Sequence, residues 1–216
     1  MGVDMNSDKF AELKSDMQGF IRDNIRTGFA PAVDIMESTV ELYEEDLEPA
    51  ELHALVEQLT WDTFEAHWKE QESWPQVTDC DHLDNAFIEL ECAGIVCRQD
   101  FSCCGTCGSA EIWDEMKEAF ESGQDVRGYA FFHTQDTETA LESGRLYLHY
   151  GSAEKGEEPA LEIAGEIVAS LNRHGLKTEW NGRIDTRIAV LLNWQRRRPF
   201  EVVISQESMP DDEICF

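Results

Sequence analysis

The stretch that decides the fold is GIVCRQDFSCCGTCGSAEIWDEM, residues 94–116, followed at a distance by GYAFFH, residues 128–133. Gly94 ends a helical pattern, and Ile95–Phe101 reads as a strand. Ser109 is a capping residue, after which Ile112, Met116 and Phe120 recur on one helical face. Gly128–His133 is short and strongly aromatic and predicts a second strand. A strand, a crossover helix and a strand make the two strands parallel, with the helix on one face. Ligand sites in parallel sheets gather beyond the carboxyl ends of the strands. Here both ends carry metal-competent groups: three thiols after the first strand and His133 at the tip of the second.

The thiols are Cys103, Cys104 and Cys107. Cys104-Gly105-Thr106-Cys107 is a C-x-x-C, the spacing at which one turn of backbone aims two sulfurs at one point. Gly105 and Gly108 supply the permissive backbone of a tight knuckle. Tetrahedral zinc wants four ligands and the knuckle offers three, so His133 is the expected fourth. Asp136 either orients that imidazole or caps the short helix that follows it. His133 also reads as an ordinary half-buried strand-end histidine. The knuckle admits three states: a structural metal, free thiols, or thiol–disulfide chemistry favoured by a helix start just after Cys107. Cys97 reads as a small core hydrophobe, and Cys80, Cys92 and Cys215 as incidental.

Outward from this unit the pattern is helical on one side and mixed on the other. Phe10, Leu13, Met17, Phe20, Ile21 and Ile25 share a helical face that Gly28 stops. Pro31 opens a second helix with the stripe Val33, Met36, Val40 and Tyr43, and Pro49 a third with Leu52, Val56 and Leu59. Thr78 with Asp81 three residues on announces another helix, on which Leu83, Phe87 and Leu90 face inward. Later come a short helix (Asp136–Glu142), a strand (Arg145–Gly151) and a helix (Glu157–His174). A hairpin follows around Asn181-Gly182, then an edge strand at Phe200–Ile204. The resulting fold class is α+β. Residues 1–73 form a helical N-terminal unit, and 74–206 an α+β domain with a mixed sheet of four to six strands and packed helices. Residues 207–216 are an acidic tail.

The chain of 216 residues carries 45 acidic against 17 basic residues, a formal charge of −28. That charge argues against nonspecific binding to nucleic acid and to anionic membranes. No apolar run is long enough for a transmembrane helix, and the acidic start, Met1 to Asp8, lacks the apolar core of a secretory signal. A cytoplasmic location is therefore expected, where cysteine-rich patches serve metal or redox chemistry more often than disulfides. An acidic decoy that binds a basic partner is a further reading of the charge. Arg196-Arg197-Arg198, the basic cluster, is expected to tie down neighbouring carboxylates.

Trp74-Pro75, Thr78-Asp79, GIVCRQDFSCCGTCGSAEI, GYAFFHTQDTETAL, LYLHYGS and EWNG, in that order, resemble an uncharacterised bacterial family of unknown function over roughly residues 74–195. The resemblance implies that the Cys knuckle and the His-Thr-Gln-Asp segment travel together. It supplies no activity. The favoured function is a cytosolic, zinc-stabilised interaction or regulatory protein with an unidentified protein partner. The alternative is a thiol-dependent enzyme or redox sensor using Cys104 or Cys107 with His133 as base.

Overall fold

Glycine and proline punctuate the first part of the chain as its sequence implies. Helices α1 (Ser7–Thr27), α2 (Ala32–Leu42) and α3 (Pro49–Gln71) are separated at Gly28, whose φ is +92°, and at Pro31 and Glu48. A computed structural model describes residues 7–199, and the chain divides into two compact units. One holds the residues up to Pro75 together with the segment from Arg196; the other spans Gln76–Gln195.

In the helical unit, Met17, Ile21 and Ile25 of α1 pack with Ile35 of α2 and with Leu52, Val56, Leu59 and Phe64 of α3. The fully buried residues of α2 are Ala32, Ile35 and Thr39, and Met36, Val40 and Tyr43 of the expected stripe pack against the same core from its partly buried flank. Thr39 tolerates burial because its hydroxyl donates to the Ile35 carbonyl at 2.6 Å.

Arg198 explains why the segment from Arg196 belongs here rather than with a domain running to residue 206. Its guanidinium donates to the Ala30 carbonyl at 2.5 Å and lies over the Phe64 ring, while Trp68 Nε1 donates to its carbonyl at 2.7 Å. Burial pushes its pKa down to about 10. The basic cluster was expected to hold carboxylates, but this member holds a carbonyl and an aromatic face.

The second unit opens with α4 (Asp79–Cys92), started by the Thr78–Asp81 capping box. Then follow β1 (Ile95–Arg98), α5 (Gly105–Glu121), β2 (Gly128–Phe131), α6 (Thr134–Ser143), β3 (Arg145–Ser152), α7 (Glu157–Arg173), β4 (Lys177–Glu179) and β5 (Ile188–Leu191). The five-stranded sheet has the order β1-β2-β3-β5-β4. β1 and β2 are parallel, as the strand–helix–strand reading requires, and the remaining pairs are antiparallel. The mixed sheet bears out the α+β class.

Strand alternation assigns the faces. Val96, Phe131 and Tyr129 pack with Ile112 and Met116 of α5. Gly128, on the other face of β2, lies so close to Ile163 of α7 that a Cβ would meet it at 2.9 Å. Phe132, just past β2, meets Phe87 of α4. The expected strand Phe200–Ile204 and the tail from 207 lie outside the described residues. Among the described residues, no helix is long and apolar enough to cross a membrane.

His67 gives this architecture a measurable pH signature. It is buried in α3 against Trp74, and its Nε2 has no hydrogen-bond partner among the described residues. Desolvation by burial holds its pKa below the ordinary value. As pH falls below about 6.5, the unfolded chain takes up a proton that the folded chain resists. His67 thus withdraws stability as pH drops towards its depressed folded value and has no effect above that window. Denaturant titrations of wild type and His67→Gln should show the wild type losing stability more steeply on acidification from pH 7. Parallel pH slopes would mean that His67 titrates normally.

Candidate functional site

The loop from β1 to α5 places the thiols. Asp100 and Ser102 both have left-handed backbone, φ +50° and +67°, conformations that non-glycine residues rarely adopt and that need outside support. That support comes from the start of α6. Phe101 N–H donates to the Phe132 carbonyl at 2.8 Å, and the Asp100 carboxylate accepts from the Thr137 hydroxyl at 2.6 Å. The Ser102 carbonyl accepts from both the backbone and the hydroxyl of Thr134. Four hydrogen bonds thus pin the thiol-bearing loop beside residues 132–137.

Cys103, Cys104 and Cys107 converge: their sulfurs all lie within 4.8 Å of one another. Cys103 is exposed and the other two are half-buried. The helix starts earlier than Ser109 suggested. Gly105 is its first residue, Cys104 stands at the N-cap, and Cys107 lies in the first turn. The knuckle is therefore the opening turn of α5, not a loop before it. This moves the dipole-favoured thiolate from Cys107 to Cys104. Cys104 makes no capping hydrogen bond of ordinary geometry, but its thiol lies in the field of the Cys107 and Thr106 N–H groups, which pull its pKa down. Cys107 is pushed up to about 11, because its thiol donates to the Cys103 and Cys104 sulfurs.

His133 is not in the thiol group. It caps α6: its Nδ1 accepts from the Asp136 N–H at 3.3 Å. A neutral ring so placed carries its proton on Nε2, which faces Asp136 Oδ2 at 3.0 Å. Asp136 is thus the third residue of the helix, returning the capping bond, rather than the N-cap itself. It is only 3% exposed, and it also accepts from Arg187 through Oδ1 at 2.8 Å. Arg187 reaches His149 Nε2 at 3.1 Å as well and lies over the Tyr147 ring. His149 stacks on Phe131 with ring centres 4.7 Å apart and planes 4° from parallel. Burial first, then the Arg187 charge, lowers the His149 pKa to about 4, so the ring is neutral. His133, Asp136 and His149 form a second group with donor atoms within 4.8 Å of one another.

The two groups are neighbours through Gly105. A Cβ there would stand 2.8 Å from His149 Cε1, 3.1 Å from His149 Nε2 and 3.4 Å from His133 Nε2. Arg187 escapes sequence reasoning because it sits in no motif, and His149, although inside the LYLHYGS segment, because no ligand-like spacing ties it to the thiols. The one available signal was alternation in Tyr147-Leu148-His149, which puts the imidazole on the same face as the aromatic Tyr147. Cys97 and Cys80 are buried, and burial raises the Cys97 thiol far above its ordinary range.

A five-stranded α+β unit with a thiol triad at the end of its parallel strand pair, beside a buried histidine–aspartate pair that the more exposed Arg187 reaches, is what the fold and site define. The chain belongs to the family described as domain of unknown function DUF6891, whose model matches residues 11–198. No curated protein and no solved structure matches it.

The close approach at the start of α5 is directly testable. A Cβ at Gly108 would lie 2.7 Å from the Phe131 ring, which is fully buried and cannot yield. Gly108→Ala should therefore lift the first turn of α5 and cost roughly 1–3 kcal/mol, the usual range for overpacking. Gly123→Ala is the control for a change at the far end of α5, where φ is +97° but no atom stands within 4 Å of the added methyl. Chemical denaturation with thiol accessibility measured in parallel reads both. Unchanged accessibility of Cys104 and Cys107 in Gly108→Ala would show that the glycine does not set the position of the thiols.

Proposed function

We propose that this chain is a metal-stabilised cytosolic protein, serving interaction or regulation, in which Cys103, Cys104 and Cys107 hold a divalent metal, zinc foremost. The observation that carries the reading is the convergence of three sulfurs within 4.8 Å. Tetrahedral zinc with Zn–S bonds near 2.3 Å spaces its sulfurs about 3.8 Å apart, a separation this group can adopt with small side-chain rotations. Charge supports it too. Thiolates crowded together in a chain of −28 repel one another, and a dication removes that repulsion.

Protein purified under reducing conditions without chelator should carry about one zinc per chain by elemental analysis. Cys104→Ser and Cys107→Ser should each release it and lower the melting temperature, because binding energy at a structural site is folding energy. Metal-free wild type, with three freely titrating thiols and melting unchanged in both variants, would sink the reading.

One observation favours a second reading, thiol–disulfide exchange: Cys104 stands at the N-cap of α5 with Cys107 one turn in. In that reaction the Cys104 thiolate attacks a disulfide substrate and expels one thiolate. Cys107 then attacks the mixed disulfide, releasing the second thiol and leaving a Cys104–Cys107 bridge. Trapping of a mixed disulfide on Cys104 in a metal-free Cys107→Ser protein would select this alternative.

A further inference from the structure

The triad supplies three donors, one fewer than a closed tetrahedral site requires. Resting on the metal reading of that triad, we propose that His149, through Nε2, is the fourth ligand. Of the two histidines it stands closer to the thiol-bearing turn: Cε1 and Nε2 of His149 are the two atoms closest to a Cβ built on Gly105, the residue that follows Cys104, and His133 Nε2 comes third.

The wiring of the two histidines separates them. Arg187 has only donors, so the Nε2 of His149 that faces it at 3.1 Å presents a lone pair, and the ring proton sits on Nδ1. That is the tautomer that ligates through Nε2. His133 is wired the opposite way. Its Nδ1 is occupied by the Asp136 N–H and its Nε2 proton points at Asp136 Oδ2, so ligation would dismantle the cap of α6. Access points the same way, with the His149 side chain 22% exposed against 8% for His133.

Phe131 holds the geometry. Its ring lies against Gly108 of the thiol-bearing turn and in parallel contact with the His149 imidazole, so one buried side chain fixes both halves of the site. Arg187 is the occupant a metal would displace from Nε2. It keeps Asp136 Oδ1 and the Tyr147 ring when it yields.

Cobalt(II), added to metal-free reduced protein, reads the ligand set spectroscopically. Wild type should show thiolate-to-cobalt charge transfer together with tetrahedral d–d bands. His149→Ala should keep the charge transfer, shift the d–d envelope, and weaken cobalt binding by more than the roughly 10–100-fold typical of losing an outer-shell partner. His133→Ala should leave the envelope in place. His149→Cys should restore tight binding and move the bands to the lower energy of an all-thiolate site. Should His149→Ala fail to fold, the spectrum of His149→Cys decides alone. An unchanged envelope and affinity in the position-149 variants, with cobalt still lost in Cys104→Ser, overturns His149 as ligand and leaves the triad standing. Wild type that takes up no cobalt overturns both.

Discussion

The site depends on Phe131 being flanked by glycine on one side and an imidazole on the other. This ring is fully buried in β2, meets Phe101 edge-on, lies under Gly108 and stacks on His149. Aromatic pairs of this kind each add about 0.5–1.5 kcal/mol beyond their buried area. The orientation they impose matters more than that energy. They bring the first turn of α5 down onto the sheet at the point where β3 presents His149, directly opposite Phe131 in the antiparallel register. A side chain at Gly108 would break that approach, so a small residue here is dictated by contact rather than by turn geometry.

A second constraint closes the other side. The β1–α5 loop adopts two left-handed residues that it cannot hold alone, and α6 supplies the hydrogen bonds that hold it. The start of α6 is in turn fixed by the His133–Asp136 capping box, and Asp136 is buried in contact with Arg187. A carboxylate 3% exposed is costly unless its lone pairs are filled. Here a helix cap, an imidazole and a guanidinium fill them. The thiols, the two histidines and Arg187 are therefore one mechanically linked group, although their sequence positions span residues 103–187.

Much of this was legible in the chain, for reasons that can be located. The parallel β1–β2 pair follows from apolar runs separated by one amphipathic helix, and the Thr78 cap from the spacing to Asp81. The convergence of the thiols follows from C-x-x-C. Besides His149 and Arg187, three features are not legible. The true start of α5 is hidden because cysteine is not a usual cap, so Ser109 draws the cap five residues late. The cap of α6 is hidden because an imidazole is not a usual capping group, so Asp136 draws the assignment that His133 takes. The return of Arg198 to the helical unit was invisible because its partners, the Ala30 carbonyl and the Phe64 ring, carry no charge to pair with.

These points bear on how thiol chemistry and metal chemistry compete at one helix end. The N–H groups of the first turn favour an anion at Cys104, while the neighbouring sulfurs disfavour one at Cys107. Taken alone, that asymmetry suits a nucleophile followed by a resolving thiol. Cys103 changes the balance, because a third exposed sulfur beside the attacking one offers a rival disulfide partner and weakens any clean two-thiol cycle. The same third sulfur is an advantage to a metal, which gains a donor and screens the charge that all three would otherwise share. The adjacent pair Cys103-Cys104, rather than the C-x-x-C, is thus what tips the argument towards coordination.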